Sequence, residues 1–175
     1  MKRRHLLPAG AALAALLGGV GVAWWRHRPD ESVTLDATEV AFWQVRLDAP
    51  DGQSVALSGF RGQPLLVNFW ATWCPPCVEE LPLLNAFHQA QRPRGWQVLG
   101  IAVDQPSAVR QWLARSPLGF PVVLAGLEGS EMSKRLGNQA GGLPFSLLFN
   151  PQGQVIERKL GQLHEADLKS WAARL

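Results

Sequence analysis

The 175-residue chain predicts an α/β fold, a mixed central sheet flanked by helices and preceded by an N-terminal β-hairpin. Two observations carry that prediction. Through the middle, short apolar runs at Leu65–Trp70, 96–103 and 120–124 alternate with segments of helical periodicity, which implies parallel strands joined by crossover helices. After Phe145–Phe149, the turn Pro151-Gln152-Gly153 leads directly into residues 154–160, the pattern of an antiparallel edge hairpin that makes the sheet mixed. With 47% hydrophobic residues, the chain has material for one ordinary domain and a short extra segment.

Residues 1–28 form that segment and read as a signal anchor or a signal peptide. Lys2, Arg3 and Arg4 precede the uncharged stretch 6–25, which at about 1.5 Å per residue is long enough to cross a bilayer. Trp24 and Trp25 stand where an interfacial aromatic belt would lie. The stretch is longer than the about 7–15 residues of an ordinary signal peptide, and Gly21-Val22-Ala23 is an imperfect cleavage site. Arg3-Arg4-His5-Leu6-Leu7 also loosely resembles a twin-arginine export signal. Each reading places the globular part outside the cytoplasm, so the expectation is the bacterial periplasm, with residues 6–25 anchored in the inner membrane. Residues 29–40 turn polar and charged and read as a tether, leaving 41–175 as the domain.

The charge balance follows this division. Five of the 17 basic side chains lie in residues 2–28, so the remainder sets 12 basic against 14 acidic groups, a net charge of −2. The globular part has no electrostatic case for binding nucleic acid.

Within the domain, residues 42–47 favour a strand, Ala49-Pro50-Asp51-Gly52 is a turn signal, and 54–57 resumes the strand. Gly59, Gly62 and Pro64 mark a loop before the buried strand Leu65–Trp70. Val78, Leu81, Leu84 and Phe87 then recur at helical spacing over Pro75–Gln91, with Pro82 inside to kink the axis and Pro93 and Gly95 to end it. Residues 96–103 read as a strand and Pro106–Arg115 as a helix with Val109, Trp112 and Leu113 on its apolar face. A strand at 120–124, a short helix at 130–136 and a closing helix over 164–175 complete the pattern.

Chemistry concentrates at Trp73-Cys74-Pro75-Pro76-Cys77, where a buried strand gives way to a helix. Cys74 and Cys77 are the only cysteines, and a bridge closing so short a loop constrains little of the unfolded chain, so exchange chemistry is favoured over a structural staple. At a helix start, unsatisfied N–H groups and the positive end of the macrodipole favour a thiolate. Cys74, the exposed member, is the expected nucleophile, and Cys77, one turn in and more buried, the resolving thiol. Pro75 and Pro76 supply no N–H, leaving the Cys77 amide as the main local donor and lowering the Cys74 pKa only moderately. Glu80, three residues beyond Cys77, shares its helix face and either relays the Cys77 proton or is an ordinary first-turn acid; Glu79 points elsewhere.

The run Val67-Asn68-Phe69-Trp70-Ala71-Thr72-Trp73-Cys74-Pro75-Pro76-Cys77, followed by Glu80-Leu81-Pro82, resembles the TlpA/ResA branch of the thioredoxin superfamily. The Asp51-Gly52 hairpin and the Leu57-Ser58-Gly59-Phe60-Arg61-Gly62 loop are similar to that branch too. The resemblance implies a thioredoxin-like fold over 41–175 and an extracytoplasmic, membrane-anchored thiol–disulfide reductase. It also implies Cys74 as nucleophile, Cys77 as resolver, Glu80 as the active-site acid, and no cofactor beyond the redox-active Cys74–Cys77 disulfide. Pro144, which the residues alone would place in a trans loop, corresponds to the cis-proline facing the cysteines. Trp73, Pro75, Pro76, Leu143, Pro144 and Phe145 would then contact substrate, with the Leu143 backbone free to pair with an extended segment. Asn68 stands where thioredoxin has a buried aspartate, which shifts weight to Glu80 or water. Phe145 stands where relatives commonly have threonine, so substrate preference is expected to differ.

A peroxiredoxin signature would need Pro and Thr at 67 and 71, where the chain has Val67 and Ala71. A zinc site lacks ligands, and a copper-carrier module would need Cys74 and Cys77 with a histidine, whereas His88 and His164 read as surface or helix-terminal residues. No metal is therefore expected. A disulfide oxidase or isomerase of the same fold is the alternative, against which the poor amide supply at Pro75-Pro76 argues. The implied partners are an extracytoplasmic protein dithiol, of apocytochrome c or an oxidase copper site, and a membrane thiol transporter as electron donor.

Overall fold

The computed structural model describes residues 34–175, of which Leu35–Leu175 form one compact unit. The predicted membrane segment and leader lie outside the described residues, as do residues 29–33 of the predicted tether. Among the described residues no helix is long and apolar enough to cross a membrane.

The first element departs from expectation. Ala37–Gln44 is a helix, α1, where the sequence suggested the end of a tether and the start of a strand. Its cause is a capping box: Asp36 Oδ1 accepts from the Glu39 amide at 2.7 Å and Glu39 Oε2 from the Asp36 amide at 2.9 Å. Phe42 and Trp43, read above as strand residues, instead pack their rings on Phe149 with centroids 4.9 Å away. Trp43 Nε1 donates to the Gly153 carbonyl at 2.8 Å, and the second Glu39 oxygen accepts from the Val155 amide at 2.7 Å. The domain therefore begins at Leu35 rather than 41, because these long-range bonds hold α1 onto the sheet.

The hairpin is real but shorter than predicted, with β1 at Arg46–Asp48 and β2 at Ser54–Ala56. Its turn relies on Gly52, at φ 87°, where a side chain would be strained. A short 3₁₀ turn, Leu57–Phe60, leads to β3 at Leu65–Trp70. The helix α2 spans Pro75–Gln91 and continues through Pro82. Next come β4 (Gln97–Ala102), α3 (Pro106–Arg115), β5 (Val122–Leu124) and α4 (Glu128–Arg135). The chain closes with β6 (Phe145–Phe149), β7 (Val155–Leu160) and α5 (Glu165–Ala172), which stops short of the predicted 175.

The seven strands lie in the order β2-β1-β5-β4-β3-β6-β7. β3, β4 and β5 are parallel, and β6, β7 and the hairpin run antiparallel to their neighbours, so the sheet is mixed as predicted. β3 is an interior strand, wholly buried between β4 and β6, which accounts for a run that is apolar but for Asn68. Its alternate residues serve two cores. Leu66 and Trp70 face Leu81 and Leu84 of α2, Val109 of α3 and Leu168 and Trp171 of α5. Leu65, Val67 and Phe69 face Phe42 and Trp43 of α1 and Leu136 after α4. Helices thus cover both faces, and the corner at the end of β3 sits in the middle of the sheet's edge.

Candidate active site

Cys74 ends the loop after β3 and caps α2; its carbonyl accepts the first helical bond from the Val78 amide. Pro75 and Pro76 occupy the first two helical positions, where a missing N–H breaks no helical bond. In the first turn the Cys77 amide is consequently the first available N–H. Cys74 and Cys77 are joined as a disulfide, with sulfurs 2.09 Å and Cα atoms 5.3 Å apart. Cys77 is fully buried, and Cys74 is only 4% exposed. The description of Cys74 as the exposed member is corrected: in the oxidised protein it packs within the core under α2 and shows only an edge, though it remains the more accessible of the two.

The loop before the cysteines is tied down by a residue the sequence reading passed over. Asp104, just after β4, accepts from the Thr72 amide at 2.8 Å and its hydroxyl at 2.5 Å, and its other oxygen from the Gln105 amide at 2.6 Å. The available signal was its position, an acid directly following a parallel strand at the sheet edge where functional loops gather.

Glu80 lies one helical turn beyond Cys77 and is 1% exposed, whereas Glu79 is exposed. Its carboxylate accepts from Asn68 Nδ2 at 2.7 Å and from the Leu163 amide at 2.6 Å. Burial pushes its pKa from 4.5 up to about 7; the bonds from Leu163 and Asn68 and the Lys159 charge pull the other way without prevailing. Asn68 also donates to Ser146 Oγ at 2.9 Å, while its own Oδ1 has no partner among the described residues. The position where thioredoxin has an aspartate is thus a neutral donor to Glu80.

Leu143–Pro144 is a cis peptide, as the resemblance implied. The β3–β6 register pairs Phe69 with Phe145, so Pro144 stands across from Trp70 at the cysteine corner. The Pro144 carbonyl accepts from the Gly161 amide at 2.8 Å, while the Leu143 backbone makes no backbone hydrogen bond within the described residues. Trp73 is 66% exposed, Pro75 is exposed, and Pro76 and Leu143 are half-buried. Trp73, Pro75 and Pro76 flank the cysteines in the chain, and buried Pro144, with Leu143 before it, follows the register to the strand end that leads into them. Phe145 does not belong with them. It is 2% exposed and its ring lies 6.1 Å from that of Phe69, in the core on the opposite face. The expectation that Phe145 contacts substrate is therefore corrected: one step along β6 from Pro144 reverses the side-chain direction.

His88 and His164 do not approach the cysteines as a ligand set, and no group of three or more His, Cys, Asp or Glu converges on a metal among the described residues. His164 caps α5, as read. His88 is not a surface residue: it is buried in the last turn of α2 with its ring against Phe120, and burial holds its pKa below the ordinary value.

A dithiol–disulfide couple at a strand-to-helix corner, backed by a buried carboxyl and faced by a cis-proline, defines a thiol–disulfide oxidoreductase of thioredoxin-like fold. The Redoxin family matches residues 34–175, and the chain belongs to it. It is 27% identical over 176 residues to the thiol-disulfide oxidoreductase ResA of Bacillus thuringiensis subsp. konkukian, covering 100% of this chain and 99% of the relative. The ResA of Geobacillus kaustophilus is 27% identical over 169 residues, covering 96% and 94%. Among solved structures, a thiol:disulfide interchange protein of Chlorobium tepidum is 27% identical with a TM-score of 0.65, covering 74% of this chain and 91% of its own. StoA from Bacillus subtilis is 25% identical with a TM-score of 0.59, covering 73% and 95%.

Proposed function

We propose that the protein is an extracytoplasmic protein-disulfide reductase in which Cys74 attacks substrate, Cys77 resolves and Glu80 handles the proton. The observation that supports this most strongly is the placing of a proton-hungry buried carboxyl one turn behind Cys77. The reduced Cys74 thiolate attacks a substrate disulfide, forming a mixed disulfide and expelling one substrate thiolate. Cys77 passes its proton to Glu80 and attacks the Cys74 sulfur. The second substrate thiol leaves, and the enzyme disulfide re-forms. Two electrons have moved to the substrate, and a donor dithiol must return them. Trp73, Pro75, Pro76, Leu143 and Pro144 form the docking edge, with the unpaired Leu143 backbone available to an extended segment.

The direction follows from electrostatics. Oxidases draw driving force from an unusually stable reduced thiolate, and a first helical turn whose first two residues are prolines offers little to stabilise one. Residues 6–25 would anchor the protein on the periplasmic side of the inner membrane. The electron donor would be a membrane thiol transporter. The substrates would be cysteines of apocytochrome c haem sites or oxidase copper sites, the targets that the resemblance of the cysteine motif to the TlpA/ResA branch implies.

Cys77→Ser tests the scheme. It is expected to strand substrate on Cys74 as a mixed disulfide that mass spectrometry identifies, together with a wild-type reduction potential well below about −120 mV. Failure of a reactive Cys74 to accumulate any cysteine-containing partner, or a potential at the oxidase end, rejects it.

A further inference from the structure

The polar residues behind the cysteine pair continue past Glu80 to the edge of the sheet. The registers set Asn68 on β3 opposite Ser146 on β6, and Ser146 opposite Lys159 on β7. Asn68 bonds both Glu80 and Ser146. At the far end Lys159 Nζ meets Asp167 Oδ2 of α5 at 2.5 Å, an ion pair whose side chains are less than one-third exposed. The same Asp167 oxygen accepts from the His164 amide at 2.8 Å. His164 adjoins Leu163, whose amide is the 2.6 Å donor to Glu80. Residues 161–164 are thus pinned twice, by Gly161 to the Pro144 carbonyl and by His164 to Asp167.

We propose that Lys159 is a positioning residue for the exchange reaction: paired with Asp167, it holds the loop that delivers the Leu163 amide to Glu80. It thereby governs how readily Glu80 takes and returns the Cys77 proton, so the inference rests on the reading of Glu80 as proton acceptor.

The step it serves balances as follows. The Cys77 S–H proton moves to the Glu80 carboxylate, the Cys77 sulfur bonds to Cys74, and the Cys74–substrate S–S bond breaks. Its electron pair leaves on the substrate sulfur, which takes the proton from the Glu80 acid, directly or relayed through water, returning Glu80 to carboxylate.

Lys159 acts on Glu80 in two ways of the same sign. Its positive charge favours the ionised carboxyl, and its pairing with Asp167 steadies the amide that bonds that carboxyl. The other groups around Glu80 do not substitute for it. Asn68 and Ser146 from β3 and β6 are uncharged, and Cys77 on α2 is held in the disulfide. Asp167 and the cap His164 of α5 act through Lys159 and the loop.

The test uses the full-length protein with ¹³C-labelled glutamate, its Glu80 resonance assigned by loss in Glu80→Gln. Titration of the oxidised form reads the Glu80 midpoint. The pH dependence of thiol release from a Cys74 mixed disulfide with a chromogenic thiol reads the resolving step. Lys159→Met is expected to move both midpoints upward by several tenths of a pH unit, and Lys159→Arg to restore them. Lys159→Gln carries the same expectation should the methionine variant not fold. Unmoved midpoints in the Lys159 variants, with the release profile still abolished by Glu80→Gln, overturn the positioning role and leave the Glu80 reading standing. A release profile that Glu80→Gln does not change overturns the Glu80 reading, and this inference with it.

Discussion

Glu80 is a carboxyl that burial holds well above the ordinary carboxylate range, its pKa raised from 4.5 to about 7. The folded state therefore retains a proton through the window from about pH 4.5 to 7 in which the unfolded chain has already lost it. Stability contributed by the neutral acid is present below that window and declines as pH rises through it. A shift of this size corresponds to about 3 kcal/mol. Glu80→Gln, compared with wild type by urea unfolding at about pH 5 and about pH 8, is expected to lack most of that decline; equal declines in both proteins contradict the assigned burial. The comparison cancels His88, whose lowered pKa acts in the opposite sense in both proteins. Asn68 suits this carboxyl better than an aspartate would, because two buried acids in contact would resist ionisation of either. Glu80 was legible as a candidate because helical spacing links it to Cys77, a relation of three residues. Its two partners were not, since Leu163 lies 83 residues away and Asn68 reaches it only across the strand-to-helix corner. Phe145 was misread for a related reason: being next to Pro144 in sequence says nothing of which face of β6 its ring joins.

At the scale of elements, boundaries set by local chemistry were read correctly. α2 and α3 begin at Pro75 and Pro106, where proline suits the first helical position, and β6 ends before Asn150 and Pro151. α1 was missed because its signal, Asp36 and Glu39 three apart, sits among polar residues that resemble a tether. What makes it a helix is tertiary: the Glu39 carboxylate bonds Val155, 116 residues away, and Phe42 stacks on Phe149. Glu39→Ala removes acceptors for two amides, one of them at the start of β7. It is expected to cost about 2 kcal/mol in urea unfolding while leaving the reduction potential unchanged. A loss near zero would mean that α1 is an appendage to the domain. The hairpin is shorter than predicted because residues 42–44 belong to α1, where Phe42 and Trp43 bury their rings against Phe149.

For the whole molecule, the compact unit begins at Leu35 and the family match at residue 34, so residues 34–175 are expected to fold and exchange disulfides without the preceding 33. The full-length chain is expected to sediment with membranes and the truncated one to stay in the supernatant. Sedimentation of the truncated chain rejects the anchor assigned to residues 6–25. Sequence alone determined the class of fold, the cysteine corner and the reaction type. Each of these rests on relations within about one helical turn or one strand. Tertiary structure alone decided which residues stand behind the cysteines: the amide of Leu163, the amide group of Asn68, the Asp104 clasp on Thr72 and the Lys159–Asp167 pair. It also decided that Cys74 is nearly covered and that Phe145 is core. The physical reason is that strand register and helix packing set these contacts, and both depend on the whole sheet being assembled.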